Sequence, residues 1–170
     1  EDGSYAANLE RAEVAPLPDL KDGGNAPLGE VHTPGKATIA DVTALLGCLA
    51  SRMIKTIIYE AGGEPLVALV RGDHEVNEAK LRRAAKVKDL GQAQPDLIRR
   101  VTGAEVGFAG PVGLKARIIA DQAVSVMHDA VTGANKTDYH IAGVNPGRDF
   151  AMPEVADIRV AVEGDRARNG

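Results

Sequence analysis

Apolar positions change their spacing several times along this chain, and each change marks an element. Ile39, Val42, Leu45, Leu46 and Leu49 recur every three or four residues, the spacing of one helix face. Thr38 is a capping residue before them, and Asp41 lies in the first turn. Residues 53–59 then form a short β-branched run that predicts a strand. Gly62 and Gly63 turn the chain into a second run at 66–70, its expected hairpin partner. Residues 77–88 are charged and alanine-rich, which predicts a helix. A further helix is expected over 95–101, with Pro95 and Asp96 at its start and Gly103 past its end. Runs at 116–120 and 123–127, separated by Asp121 and Gln122, read as strands, as do 139–144 and 158–162. Strands interleaved with a few helices predict an α/β or α+β domain.

The first thirty residues break this regularity. Pro16, Pro18, Gly23, Gly24, Asn25 and Pro27 interrupt any period there. A connector is expected, opened by a helix-compatible stretch at 4–13. No internal repeat or low-complexity segment is visible.

With 170 residues, 44% of them hydrophobic, the chain has material for one sizeable core. Its 20 Lys and Arg stand against 24 Asp and Glu, which is not the basic footprint of an autonomous nucleic-acid binder. Two Phe, three Tyr and no Trp leave few platforms for stacked bases. Cys48 is the only cysteine, so a disulfide within the chain is excluded, and its apolar neighbours suggest a buried structural thiol. The apolar runs are all far shorter than the ~20 residues of a bilayer span. A soluble, cytoplasmic protein is therefore expected. The start at Glu1 and the polar tail at 163–170 suggest a piece of a longer protein.

Candidate chemistry gathers in three glycine-punctuated polar islands, at 71–80, 107–114 and 133–149. Loops at strand ends are where binding residues usually sit. A phosphate-binding Gly-x-x-x-x-Gly-Lys-Ser/Thr loop, a dinucleotide Gly-x-Gly-x-x-Gly, His-Glu-x-x-His and paired Cys-x-x-Cys are all absent. Ser4, Ser51 and Ser125 sit in no nucleophile elbow. Lys55 interrupts an apolar strand; it is either on a wet face or an ammonium at the mouth of a pocket. Gly107, Phe108, Ala109, Gly110 and Pro111 form either an ordinary turn or a loop that lets backbone approach a ligand. His140 is either a satisfied structural residue or a pocket group. His74 tempts a metal reading, but a turn before a helix capped by Asp73 or Asn77 fits better. His32 and His128 have no clear constellation.

Taken in order, these islands resemble the editing (insertion) domain of bacterial-type prolyl-tRNA synthetases, over about residues 28–165. The stretch at 31–39 resembles that family's opening motif, and 107–111 its Gly-x-x-x-Pro loop. The resemblance implies a compact α/β domain with a curved, mixed, antiparallel-rich sheet flanked by helices, a fold shared with free-standing YbaK-like deacylases. It divides the chain into a connector at 1–27, an editing domain at 28–165 and a connector at 166–170.

The resemblance also implies residue roles. Lys55 matches a functional lysine, His140 a histidine that helps select the amino acid, and Asp121 an aspartate near the same pocket. Thr33 would lie at the cleft, and Ile39 and Val42 would form an apolar wall, or simply the buried face of their helix. Gly107, Phe108, Ala109, Gly110 and Pro111 would receive the acyl-adenosine end. The implied activity is hydrolysis of alanine from the 3′ end of proline tRNA, without metal or cofactor. ATP and magnesium would belong to a separate aminoacylation site of the parent enzyme, itself expected to be a homodimer. Two rivals remain open: a free-standing deacylase for a small amino acid, and an inactive insertion that only binds tRNA.

Overall fold

A computed structural model describes residues 25–166. The expected helix at 4–13, most of the connector and the last four residues lie outside that range. Among the described residues the architecture is a mixed five-stranded sheet and a three-stranded antiparallel sheet with four short α-helices.

The hairpin carries the larger sheet. β2 (Ile54–Ala61) and β3 (Glu64–Arg71) pair antiparallel, turned by Gly62 and Gly63, both at positive φ. β3 then runs parallel to β5 (Arg117–Asp121), and β5 parallel to β8 (Glu154–Ala156), while the two-residue β4 (Gly91–Gln92) covers the other edge of β2. Leu66 to Val70 are all buried. Such a continuous apolar run is what a central strand covered on both faces requires. Its two faces feed separate cores, Val67 and Leu69 in one, Leu66, Ala68 and Val70 in the other. The second core is closed by α2 (Glu78–Ala85) through Leu81 and Ala85. α3 (Pro95–Thr102) contributes Ile98 and Val101 to the first.

The smaller sheet has the order β1 (Gly29–His32), β7 (Tyr139–Val144), β6 (Ala130–Gly133). It is joined to the larger one by a parallel bridge between Met53 and Val131 and by the Thr132 hydroxyl, which donates to Ile54 O at 3.0 Å. The mixed, antiparallel-rich α/β fold that the resemblance implies is present, its strands arranged as two sheets that meet at a seam at the start of β2. α1 (Ile39–Leu46) packs Val42 against Met53 and Val131 at this seam. Thr38 caps it by accepting from Asp41 N, and Gly47 ends it in the left-handed conformation.

Two expected strands are different. Residues 122–125 form a single helical turn, α4 (Gln122–Ser125), because Asp121 Oδ2 accepts from Ala123 N and caps it. Residues 158–162 add no strand; only a bridge between Val76 and Arg159 forms, and β8 lies just before them. Ile158 is buried there without a full strand partner because its N–H donates to Asp121 Oδ1 at 2.9 Å. Asn77, rather than Asp73, caps α2, accepting from Lys80 N. Cys48 is half-buried just beyond α1. No helix among the described residues is long and apolar enough to cross a membrane.

Candidate functional site

The seam between the sheets opens into a cavity of about 240 Å³. Its apolar lining includes Ile39 from α1, Met53 and Ile54 at the start of β2, and Ala109 from the 107–113 loop. Thr38, Thr56, Lys55, Gly107, Gly133 and His140 supply polar groups and backbone. Side chains alternate along a strand, yet Ile54, Lys55 and Thr56 all line this space; their edge of β2 away from β3 is not covered by β4, which pairs only with Tyr59 and Glu60.

His140 is positioned by the small sheet, where it stands opposite Val31 of β1 and Gly133 of β6. Its ring is only 3% exposed. The Thr33 hydroxyl meets its Nδ1 at 2.7 Å, and Phe108 contacts its face edge-on at 5.6 Å. Thr33 is itself wholly buried and held by its N–H donating to Asp138 O. Burial pushes the His140 imidazole below its ordinary value, so the ring is neutral at pH 7. With Nδ1 taken by Thr33, Nε2 is the nitrogen left for a ligand.

Lys55 Nζ donates to His74 O at 2.7 Å and to Glu75 Oε1 at 2.9 Å. An ammonium has three donors, and these two bonds leave one unused beside the cavity. The charge is balanced by Glu75 yet only 19% of the side chain is exposed. Its carbonyl partner His74 is buried, with Nδ1 unsatisfied. Burial, with Arg159 and Arg71 nearby, lowers the His74 imidazole against the opposing pull of Asp73 and Asp121.

The 107–113 loop closes the far wall. Gly107 has φ +99°, and a Cβ there would overlap Ala37. A Cβ on Gly110 would overlap Gly133 O. Both glycines are therefore required by close approach, the first of the loop to α1's leading segment and the second of the loop to β6. Gly107 N–H and Ala109 N–H find no protein acceptor among the described residues, which leaves two backbone donors at the cavity wall.

The structure thus brings together Lys55, His140, Ile39, Gly107 and Ala109 in one cavity. Thr33 and Phe108 stand behind the His140 ring, and Gly110 and Pro111 are buried in the loop that carries the wall. Val42 lies one layer below, in the packing of α1 on Met53 and Val131. Asp121 does not join them. It is 1% exposed, ends β5, and spends its two oxygens on Ala123 N and Ile158 N. Met53, Ile54 and Thr56 line the cavity without having been singled out as site residues from sequence, where they read only as part of an apolar strand, and Gly133 was marked only as the start of a polar island. Among the described residues, no three His, Cys, Asp or Glu side chains gather as a metal site.

The profile of the aminoacyl-tRNA editing domain family matches residues 33–150. A proline–tRNA ligase of Geobacter sulfurreducens is 48% identical over 161 residues, covering 95% of this chain and 28% of the relative. A proline–tRNA ligase of Syntrophus aciditrophicus is 49% identical over 165 residues, again 95% and 28%. The chain therefore spans little more than a quarter of the length of these relatives. A crystal structure described as a candidate trans-editing enzyme for prolyl tRNA synthetase superposes with a TM-score of 0.64 at 19% identity, covering 79% of this chain and 87% of that one. Its fold is the one seen here. On the extent of the profile match, the chain belongs to the aminoacyl-tRNA editing domain family.

Proposed function

We propose that this domain hydrolyses the ester between alanine and the 3′-terminal ribose of proline tRNA, acting as the editing part of a proline–tRNA ligase. The observation that carries this reading is the cavity itself: a small apolar recess bounded by a neutral histidine, a lysine with one free donor and two unspent backbone N–H groups. The relatives' names supply the proline tRNA; alanine comes from the size argument that follows.

A synthetic site shaped for proline cannot strongly reject the smaller alanine, since a missing methylene is worth only about 1–3 kcal/mol. A second site that admits only the smaller side chain removes the error. Ile39, Met53 and the Lys55 stem bound the space for that side chain. The Gly107 and Ala109 N–H groups receive the ester carbonyl and stabilise the oxyanion that forms when water attacks. The third Lys55 donor reaches the adenosine or its phosphate, and His140 Nε2 completes the wall. An aminoacyl ester is already activated, so a positioned water assisted by the ribose 2′-hydroxyl suffices, with no metal or cofactor in the step. The wider ligase would hold ATP and magnesium at a separate aminoacylation site, pair as a homodimer through other domains, and work in the cytoplasm. Tethering in that ligase would supply the effective concentration that this acidic domain's own affinity for tRNA would not.

The test is deacylation of alanyl- and prolyl-tRNA for proline by this chain and by a whole ligase containing it, with Lys55→Ala and His140→Ala alongside. Loss of alanine with proline spared, impaired in both variants, is expected. If neither form releases alanine, the inactive tRNA-binding reading replaces this one. A 2′-deoxy, 3′-esterified substrate should react far more slowly; undiminished hydrolysis would remove the 2′-hydroxyl from the mechanism.

A further inference from the structure

We infer that Asn135 is the positioning residue of the ester site, the group that fixes the 107–113 loop so that its two free N–H groups face the substrate; this rests on the hydrolytic reading above. Asn135 follows β6 and spends its backbone N–H and both side-chain polar atoms on that loop. Its backbone N–H donates to Phe108 O at 2.9 Å. Its side-chain Oδ1 accepts from Gly110 N at 2.8 Å, while Nδ2 donates to Gly110 O at 2.9 Å and to Val112 O at 3.1 Å. Two residues on, the Thr137 hydroxyl accepts from Glu105 N at 3.0 Å and anchors the segment leading into the loop.

This clamp decides which loop amides are available. Gly110 N–H is consumed by Oδ1, and Phe108 N–H by Glu105 O. The residues between and before them, Gly107 and Ala109, line the cavity and keep their N–H groups unspent. An oxyanion site works because its donors are held in place before the charge forms, and a glycine-rich loop with positive φ at Gly107 and Gly113 does not hold itself.

Asparagine alone meets all the demands at this position. Its φ is +54°, a left-handed conformation that Asn and Asp tolerate and longer or branched side chains resist. Asp would keep the acceptor for Gly110 N–H but would set a carboxylate against Gly110 O and Val112 O. Gly would accept the backbone and supply no clamp. Gln carries the right groups one methylene too far.

The experiment compares this chain with Asn135→Gly and Asn135→Asp by amide NMR and by steady-state deacylation of alanyl-tRNA for proline. Amide exchange at Gly110 should accelerate at least tenfold in Asn135→Gly, and in both variants the Gly107 and Ala109 resonances should move while those of β2 and β3 stay. The turnover rate should fall tenfold or more, with KM within about threefold, because tRNA contacts outside the loop are untouched. Unchanged loop amides would overturn the clamp. A disturbed loop with undiminished turnover would overturn its positioning role. A wild-type chain and whole ligase that release no alanine, with the loop resonances still shifting in the variants, would instead sink the hydrolytic reading and leave the clamp standing.

Discussion

Replacing Thr33 by Val isolates the contact that holds His140. The two side chains have nearly the same shape, and Thr33 is wholly buried, so packing is preserved. What disappears is the hydroxyl 2.7 Å from His140 Nδ1. A buried ring nitrogen left without a partner costs about 1–3 kcal/mol. The added methyl returns part of that, up to about 0.8 kcal/mol. The net expectation is a loss of about 1–2 kcal/mol, which for a domain of this size lowers Tm by roughly 2–8 °C. Calorimetry should be run near pH 7.5, where the buried imidazole is neutral in both states. Ring ¹⁵N shifts would report the other half of the effect, because a freed Nδ1 loses the hydrogen bond that sets its tautomer. Deacylation should fall at the same time. An unchanged Tm together with unchanged ring shifts would refute the reasoning, since it would mean that Thr33 neither supports nor orients His140.

Three further outcomes are expected. His74 and His140 are both held below the ordinary histidine value by burial; as pH falls past about 6.5 the unfolded chain takes up protons that the folded one refuses, so stability falls with pH. Tm measured from pH 7.5 to 5.5 should decline well before the carboxylates Asp73, Asp149 and Asp165 protonate, and a flat curve would contradict this. Gly110→Ala should abolish deacylation and lower Tm, because its Cβ would overlap Gly133 O; full activity would show that the loop can retreat from β6. Asp165→Ala should cost about 3 kcal/mol by urea unfolding, the low end for a broken buried pair, because Arg159 is 4% exposed and Asp165 supplies two of its bonds at 2.9 and 2.6 Å.

Elements whose signal is local were legible before the structure. α1 announces itself through Thr38 and the spacing of its apolar residues, and the β2–β3 hairpin through two apolar runs about Gly62 and Gly63. β1 was not legible: its four residues are mostly exposed, and it exists because β7 offers it a partner more than a hundred residues away. The turn at 122–125 looked like a strand because its cap lies in Asp121, whose carboxylate could equally have served a pocket. The glycines of the 107–113 loop could be flagged from sequence, but what they approach, Ala37 and Gly133, depends on tertiary placement. Ile39 and Val42 share a helix face, yet only the first reaches the cavity. Asn135 was visible as one polar residue in a polar island; its role lies in partners some 25 residues earlier.

β1 also governs how this domain tolerates trimming. It covers the outer edge of β7, the strand that carries His140, and the chain leading into it is latched by Ala26 N–H donating to Asp129 Oδ1. A chain cut to begin at residue 33 would retain most of the cavity lining but strip that edge, leaving a row of unpaired N–H and C=O groups open to a second molecule. The expected consequence is self-association through β7, so that a shortened domain would fail by sticking to its own copies rather than by losing any residue that touches the substrate.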